Sequence, residues 1–226
     1  NDPQRYIKFL SENLHLDRTV GLEAMGELQS NLNDYKKGGK GYWSSHVLPN
    51  MGYGYTIEIS PIQTLTLYNA VANGGKMVAP RLIREVRRDD DVVEEFPTRI
   101  LVDKICSDGT LAIAHDCMVE TARTGTAASF FHDTTSFRVA AKTGTAQYVQ
   151  GVRRSDGYYY GSMVVYFPAE SPKYTIMAGV LTRRGRGGSV YGAGLAGPVM
   201  RDIVYNIYYR DEEWHQELAP STTEHY

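Results

Sequence analysis

The sequence predicts an α+β fold in which helices precede an antiparallel sheet and a last helix closes the chain. Two helix starts are marked by their capping residues, Asp2-Pro3 and Ser60-Pro61-Ile62-Gln63. From Phe137 the pattern turns to strand, with Phe137, Val139 and Ala141 alternating with Arg138, Ala140 and Lys142. A helical stripe of Leu195, Val199, Ile203, Val204 and Ile207 follows the strands.

The elements are justified in order. Proline suits the first helical position because its missing N–H has no partner there anyway, so Pro3 opens a helix in which Tyr6, Ile7, Leu10 and Leu14 share a face. Residues 17 to 51 read as irregular, with Gly38, Gly39 and Gly41 close together. A loop of that length inside a compact domain is often functional. In the next helix Ser60 fits the N-cap, Pro61 the first turn, and Gln63 can close a capping box. Its apolar stripe is Ile62, Leu65, Tyr68 and Ala72, and Asn73-Gly74-Gly75 stops it. Leu82 to Val86 and Val92 to Phe96 flank Asp89-Asp90-Asp91 and predict a hairpin. Ser107 caps a helix to about Ala122, with Leu111, Ala114, Met118 and Ala122 on one face. Ser162 to Phe167 and Tyr174 to Thr182 are strands joined by the turn Pro168 to Pro172, and the last helix runs from about Leu195 to Tyr209. Residues 1–213 read as one domain and residues 214–226 as a polar, mobile tail.

Composition narrows the function classes. The chain has 226 residues, 42% of them hydrophobic, enough for a sizeable core. Lys and Arg number 24 against 26 Asp and Glu, a net charge of -2 with no footprint for nucleic acid. No apolar run approaches the roughly 18 to 20 residues of a membrane span. The chain starts at Asn1 without a signal peptide and reads as part of a longer protein whose anchor lies elsewhere. Cys106 and Cys117 on one helix would stand about 16 Å apart, beyond disulfide reach, so two free and mostly buried thiols are expected. The six histidines show no ligand spacing, so neither a metal nor a cofactor is expected.

Lys142-Thr143-Gly144-Thr145 follows the strand Phe137 to Ala141 and carries the chemistry. An edge strand binds an extended peptide by main-chain pairing, and a glycine lets that peptide come close. Lys142 offers a cation beside a nucleophile, Thr143 and Thr145 offer hydroxyls to a substrate carboxylate, and the Thr145 N–H is a candidate oxyanion donor. By composition a Lys-Thr-Gly tripeptide occurs by chance in roughly one such chain in twenty. Arg123-Thr124-Gly125-Thr126 nearly repeats it, but follows a predicted helix, so Gly125 reads as a helix C-cap. The loop Arg183-Arg184-Gly185-Arg186-Gly187-Gly188 reads as solvated surface or as a border of the cleft. Tyr191, just after it, is a candidate wall, and Tyr158-Tyr159-Tyr160 reads as strand packing.

Longer blocks carry a more specific signal. Gly52-Tyr53-Gly54-Tyr55, Ser60-Pro61-Ile62-Gln63, Ala72-Asn73-Gly74-Gly75 and Pro80 occur in that order. Thr124-Gly125-Thr126-Ala127-Ala128, Phe167-Pro168-Ala169, Pro172-Lys173-Tyr174, Tyr191-Gly192-Ala193 and Ala196-Gly197-Pro198-Val199 follow. Together with the Lys-Thr-Gly element, the chain resembles class B penicillin-binding proteins, nearer the division-type synthases, over residues 1 to about 210. The resemblance implies a penicillin-binding, β-lactamase-like transpeptidase fold, incomplete here because the nucleophile-bearing helix is absent. It implies acyl transfer from D-Ala-D-Ala stem peptides of peptidoglycan, with β-lactam antibiotics as inhibitors and division-complex proteins as partners. It places the protein at the periplasmic face of the cytoplasmic membrane. Lys142 and Thr145 would be catalytic, and Thr143, Gly144, Thr145 and Tyr191 would bind substrate.

One departure stands out. The family uses Ser-x-x-Lys for its nucleophile and Ser-x-Asn beside it; no Ser-x-x-Lys occurs here. Ser11-Glu12-Asn13 matches Ser-x-Asn in letters only, so both elements are expected upstream of Asn1, and the chain alone is expected to be inactive. A core missing its central helix is expected to self-associate, to bind a partner segment or to be weakly stable. A serine β-lactamase or penicillin sensor and a non-catalytic scaffold of a division complex are the rival readings.

Overall fold

The computed structural model describes residues 3–23, 26–32, 46–132, 136–147, 157–183 and 190–211. The chain divides into two compact units, Asn1–Ile113 and Ala114–Tyr226. The polar tail, the glycine cluster at 38–41 and the loop 184–188 fall outside the described residues.

The first unit opens with α1 (Pro3–Glu12), whose Leu10 is buried with Leu16, Leu32, Val47 and Met51. Val47 and Met51 sit on α2 (Val47–Gly52), a short helix inside the stretch read as irregular. Ser60 caps α3 (Pro61–Ala72) as expected, its hydroxyl accepting from the Gln63 N–H at 3.3 Å. The buried face of α3 differs from the predicted stripe: Gln63, Thr66 and Ala70 point inward. Gln63 reaches into the unit instead of closing a capping box. Its amide nitrogen donates to the carbonyls of His15 at 2.8 Å and Arg18 at 2.7 Å. Its amide oxygen accepts from the Ser30 hydroxyl. The irregular stretch from His15 to Arg18 leaves part-buried carbonyls without ladder partners, and one glutamine supplies them.

After α3, β1 (Met77–Val78) pairs antiparallel with β4 (Ile100–Val102), and Met77 packs with Ala70 and Ile105. Between them β2 (Glu85–Arg88) and β3 (Asp91–Glu95) form the predicted hairpin, closed by Asp89 at φ 54° and Asp90. Both strands are solvent-facing apart from a half-buried Glu85. Ser107 accepts from the Thr110 N–H at 3.2 Å and caps α4 (Asp108–Arg123), as predicted.

The second unit holds α5 (Ala128–Phe131), β5 (Ala140–Gln147), β6 (Tyr158–Phe167), β7 (Tyr174–Arg183) and α6 (Gly192–Arg210). The three strands form one antiparallel sheet in the order β5-β6-β7. The register places Ala141, Val165 and Ile176 in one row and Thr143, Met163 and Ala178 in the next. Side chains alternate across a strand, so these rows share a face. That face packs with Phe167, Val139 and Phe137 against Ala196, Met200 and Val204 of α6 and against Phe131. The predicted α6 stripe is corrected here: Val199 and Ile203 are 47% and 38% exposed, and the buried residues are Gly192, Ala196, Gly197, Met200 and Val204. Small residues at the start of the helix let it approach the sheet more closely than a leucine or valine stripe would. The strand of the Lys-Thr-Gly element is also corrected, starting at Ala140 instead of Phe137 and running through the motif. Cys106 is half-buried and Cys117 exposed, where two buried thiols were expected.

Tyr166, on the opposite face of β6, is fully buried, and its hydroxyl meets His115 Nδ1 at 2.8 Å. Burial, with the Asp116 carboxylate adding to it, pushes the Tyr166 phenol up to about 12.

Two outcomes are expected. Gln63→Leu leaves the buried Ser30 hydroxyl and two part-buried carbonyls without this partner and should cost about 1–3 kcal/mol in urea unfolding with an unchanged m value. The folded chain holds the Tyr166 proton more tightly than the unfolded chain, whose tyrosines titrate near ~10. This contribution to stability is complete below pH ~10 and is lost as pH rises through about 12. Tyr166→Phe should therefore flatten the fall in unfolding free energy over that interval.

Candidate functional site

Lys142, Thr143, Gly144 and Thr145 lie inside β5, an edge strand of the sheet as described. Alternation sends them to two faces. Thr143 and Thr145 share the face on which α6 packs, in register with Met163 and Gly161. Lys142 and Gly144 lie on the other, beside Val164 and Ser162. The Lys142 side chain is exposed, and its ammonium donates to the Thr143 carbonyl at 2.6 Å.

Both threonine hydroxyls are held from behind. Thr143 Oγ1 is 2.8 Å from Thr126 Oγ1, a pair in which either can donate. Thr145 Oγ1 accepts from the Gly192 N–H at 2.9 Å. That bond occupies one lone pair of Oγ1 and leaves the hydroxyl hydrogen able to donate to an anionic ligand. Thr145 is exposed, so the donor is accessible.

At Gly144 an added side chain would meet the Ser162 hydroxyl, which a turn of the serine side chain could relieve. A Cβ there would lie 2.7 Å from Ser162 Oγ. A glycine side also keeps this face of the edge strand flat where an extended peptide would lie. Tyr191 is the N-cap residue of α6, 69% exposed, and so next in sequence to the residue that holds Thr145. Of the predicted site residues, the structure thus gathers Lys142, Thr143, Gly144 and Thr145 on one strand and sets Tyr191 at the head of α6. Arg183 is the last residue of β7, its guanidinium 5.6 Å from the Tyr158 ring.

Thr126 was not singled out by sequence reasoning. It belongs to the near-repeat set aside as a helix end, and the structure brings it to Thr143. Gly125 is not a left-handed C-cap, since its φ is not positive. It is glycine because a Cβ would lie 2.8 Å from Thr121 Cα, where the chain folds back so that the Ala127 N–H reaches the Thr121 carbonyl at 3.0 Å. The available signal was a second Thr-Gly-Thr placed just after a helix.

Residues 11–205 match the penicillin-binding protein transpeptidase domain. The chain belongs to this family. Among curated relatives, the peptidoglycan D,D-transpeptidase FtsI of Buchnera aphidicola subsp. Baizongia pistaciae is 24% identical over 203 residues, 89% of this chain and 32% of that protein. Stage V sporulation protein D of Bacillus subtilis is 26% identical over 156 residues, 66% of this chain and 23% of that protein. The chain thus spans about a third or less of the length of these relatives. Its fold is that of solved transpeptidase structures. Penicillin-binding protein 3 of Mycobacterium tuberculosis, solved with ampicillin, superposes with a TM-score of 0.72 at 22% identity, covering 92% of this chain and 46% of that one. The apo transpeptidase domain of Burkholderia pseudomallei penicillin-binding protein 3 gives 0.68 at 18% identity, over 94% of this chain and 59% of that one. The predicted α+β transpeptidase fold and family are borne out.

The glycine of the turn beside Thr126 gives a direct test. Gly125→Ala should lower stability by about 1–3 kcal/mol in thermal unfolding. Gly109→Ala, inside α4 with nothing within 4 Å of the added carbon, should be neutral or stabilising by up to about 1 kcal/mol.

Proposed function

We propose that this chain contributes the Lys-Thr-Gly side of the active site of a serine D,D-transpeptidase that cross-links peptidoglycan stem peptides and is trapped by β-lactams. The observation that carries the reading is β5: an edge strand with a cation and a flat glycine on one face and two threonine hydroxyls held from behind on the other. Family membership supports it, as does the name of the FtsI relative.

In this reading the stem peptide lies along β5 and its terminal carboxylate takes the Thr145 and Thr143 hydroxyls. A serine oxygen attacks the penultimate D-Ala carbonyl while the serine proton passes to a base. The Thr145 N–H receives charge on the carbonyl oxygen, and Lys142 stabilises negative charge near the nucleophile. The peptide C–N bond breaks, D-Ala leaves as the protonated amine, and a second stem-peptide amine displaces the ester. No Ser-x-x-Lys occurs in these 226 residues, so the reading assigns nucleophile and base to a segment outside them. The reading does not use Ser11, which has Leu14 where the family's Lys would stand and whose hydroxyl donates to the Asp17 carboxylate at 2.6 Å. Tyr191 would wall the cleft, the protein would work at the periplasmic face of the cytoplasmic membrane, and division proteins would be its partners.

Intact-mass measurement after incubation with a fluorescent penicillin tests the reading. The full-length gene product should gain one label, and this chain alone none. Lys142→Ala in the full-length protein should slow labelling by about 10²-fold or more. Label on the isolated chain would put the nucleophile within it, and no label on either would favour a scaffold.

A further inference from the structure

The first residue of α6 sits directly on the strand pair that carries the site, and glycines make the seat. A Cβ on Gly192 would overlap the Gly144 carbonyl oxygen and lie 2.6 Å from the Ser162 carbonyl oxygen, both backbone atoms that cannot turn aside. A Cβ on Gly161, the cross-strand partner of Thr145, would lie 3.0 Å from Gly192 Cα and 2.6 Å from Leu195 Cδ1. Into that contact the Gly192 N–H donates to Thr145 Oγ1 at 2.9 Å. The Tyr191 N-cap makes no side-chain cap of its own.

We infer that Gly192 is a positioning residue for the site: it sets the Gly144–Thr145 backbone and fixes the Thr145 hydroxyl as a donor toward a free carboxylate. This rests on the reading that Thr145 holds the carboxylate of the substrate or β-lactam. Two physical consequences follow. With Oγ1 held in place by the Gly192 N–H, Thr145 keeps its one hydrogen to give, and the charge-assisted bond to an ionised carboxylate is stronger than one to an ester carbonyl, so the free carboxylate is favoured. The backbone contact also means that the N–H of Thr145 moves if α6 moves, because closely packed elements transmit displacement instead of absorbing it. Gly192 therefore acts on both the hold on the carboxylate and the acylation step, without itself touching substrate.

The test compares Gly192→Ala with Val204→Ala in the full-length protein. Val204 is fully buried on the same helix, twelve residues and about 18 Å further along its axis. Both variants lower the melting temperature, but a merely structural change reduces the fraction of protein that reacts with a fluorescent penicillin and leaves the rate constant of the folded fraction alone. Gly192→Ala is expected to raise the penicillin concentration for half-maximal rate and to lower the second-order acylation constant tenfold or more. It should also narrow the preference for the free penicillin over its methyl ester. Val204→Ala is expected to stay within twofold. Equal slowing in both variants, or a change in amplitude alone, overturns the inference. A second measurement needs no reaction: in Thr145→Val of this chain, amide hydrogen exchange at Gly192 should quicken tenfold or more, and unchanged exchange overturns the inference. A wild-type protein that fails to take penicillin but loses Gly192 protection in Thr145→Val would sink the transpeptidase reading and leave the positioning contact standing.

Discussion

The distance between a helix and a sheet is set by the side chains between them, and at the site that spacer has been removed. Gly192, Gly161 and Gly144 meet where α6 begins, so backbone lies against backbone. Further along, Ala196, Met200 and Val204 widen the gap and fill it with apolar volume. The helix is thus pinned at its start and cushioned over the rest of its length. The Lys-Thr-Gly strand inherits that rigidity on one face only. The hydroxyls of Thr143 and Thr145 are fixed by Thr126 and Gly192, while Lys142 on the other face folds back onto a main-chain carbonyl. In the proposed reading, where a carboxylate is held beside a nucleophile, that division sets ordered donors behind and an adaptable cation in front.

A different constraint organises the first unit. Its loops carry too few ladder hydrogen bonds to satisfy themselves, and Gln63 answers by tying two segments to α3, one through His15 and Arg18 and the other through Ser30. Glu27 does the same for a tight turn, its carboxylate accepting from the amides of Gly21 and Leu22 at 2.9 Å each and from Val20. Polar side chains here do what apolar packing does in the sheet unit. Each such group is fully engaged, which is what makes its burial tolerable.

What the sequence revealed followed a physical pattern. Local signals were legible: Ser60 and Ser107 at their caps, the turn between the β2 and β3 strands, the alternation leading into Ala141, and the Lys-Thr-Gly element itself. These depend on neighbours within a few residues. Several of the misread features depend on partners far along the chain. Gln63 was taken for a local cap because its true partners lie 33 to 48 residues away. The face of α6 was read from its largest apolar residues, Val199 and Ile203, whereas close approach to the sheet selected Gly192 and Ala196. Thr126 was set aside for the same reason, since only the folded chain shows that it lies against Thr143. Residue type announces a cap or a strand, but long-range contact decides which side of an element faces in.

The β2–β3 hairpin stands apart from both constraints. Its strands pair with each other alone, nearly every side chain faces water, and Asp89 and Asp90 turn at its tip. A ladder of this kind adds little to the core and takes little from it. Extra residues placed at that tip would be borne by solvent, at the modest entropic cost of a longer loop. The hairpin is thus a natural place to splice in an epitope or a fluorophore site for following this protein in cells.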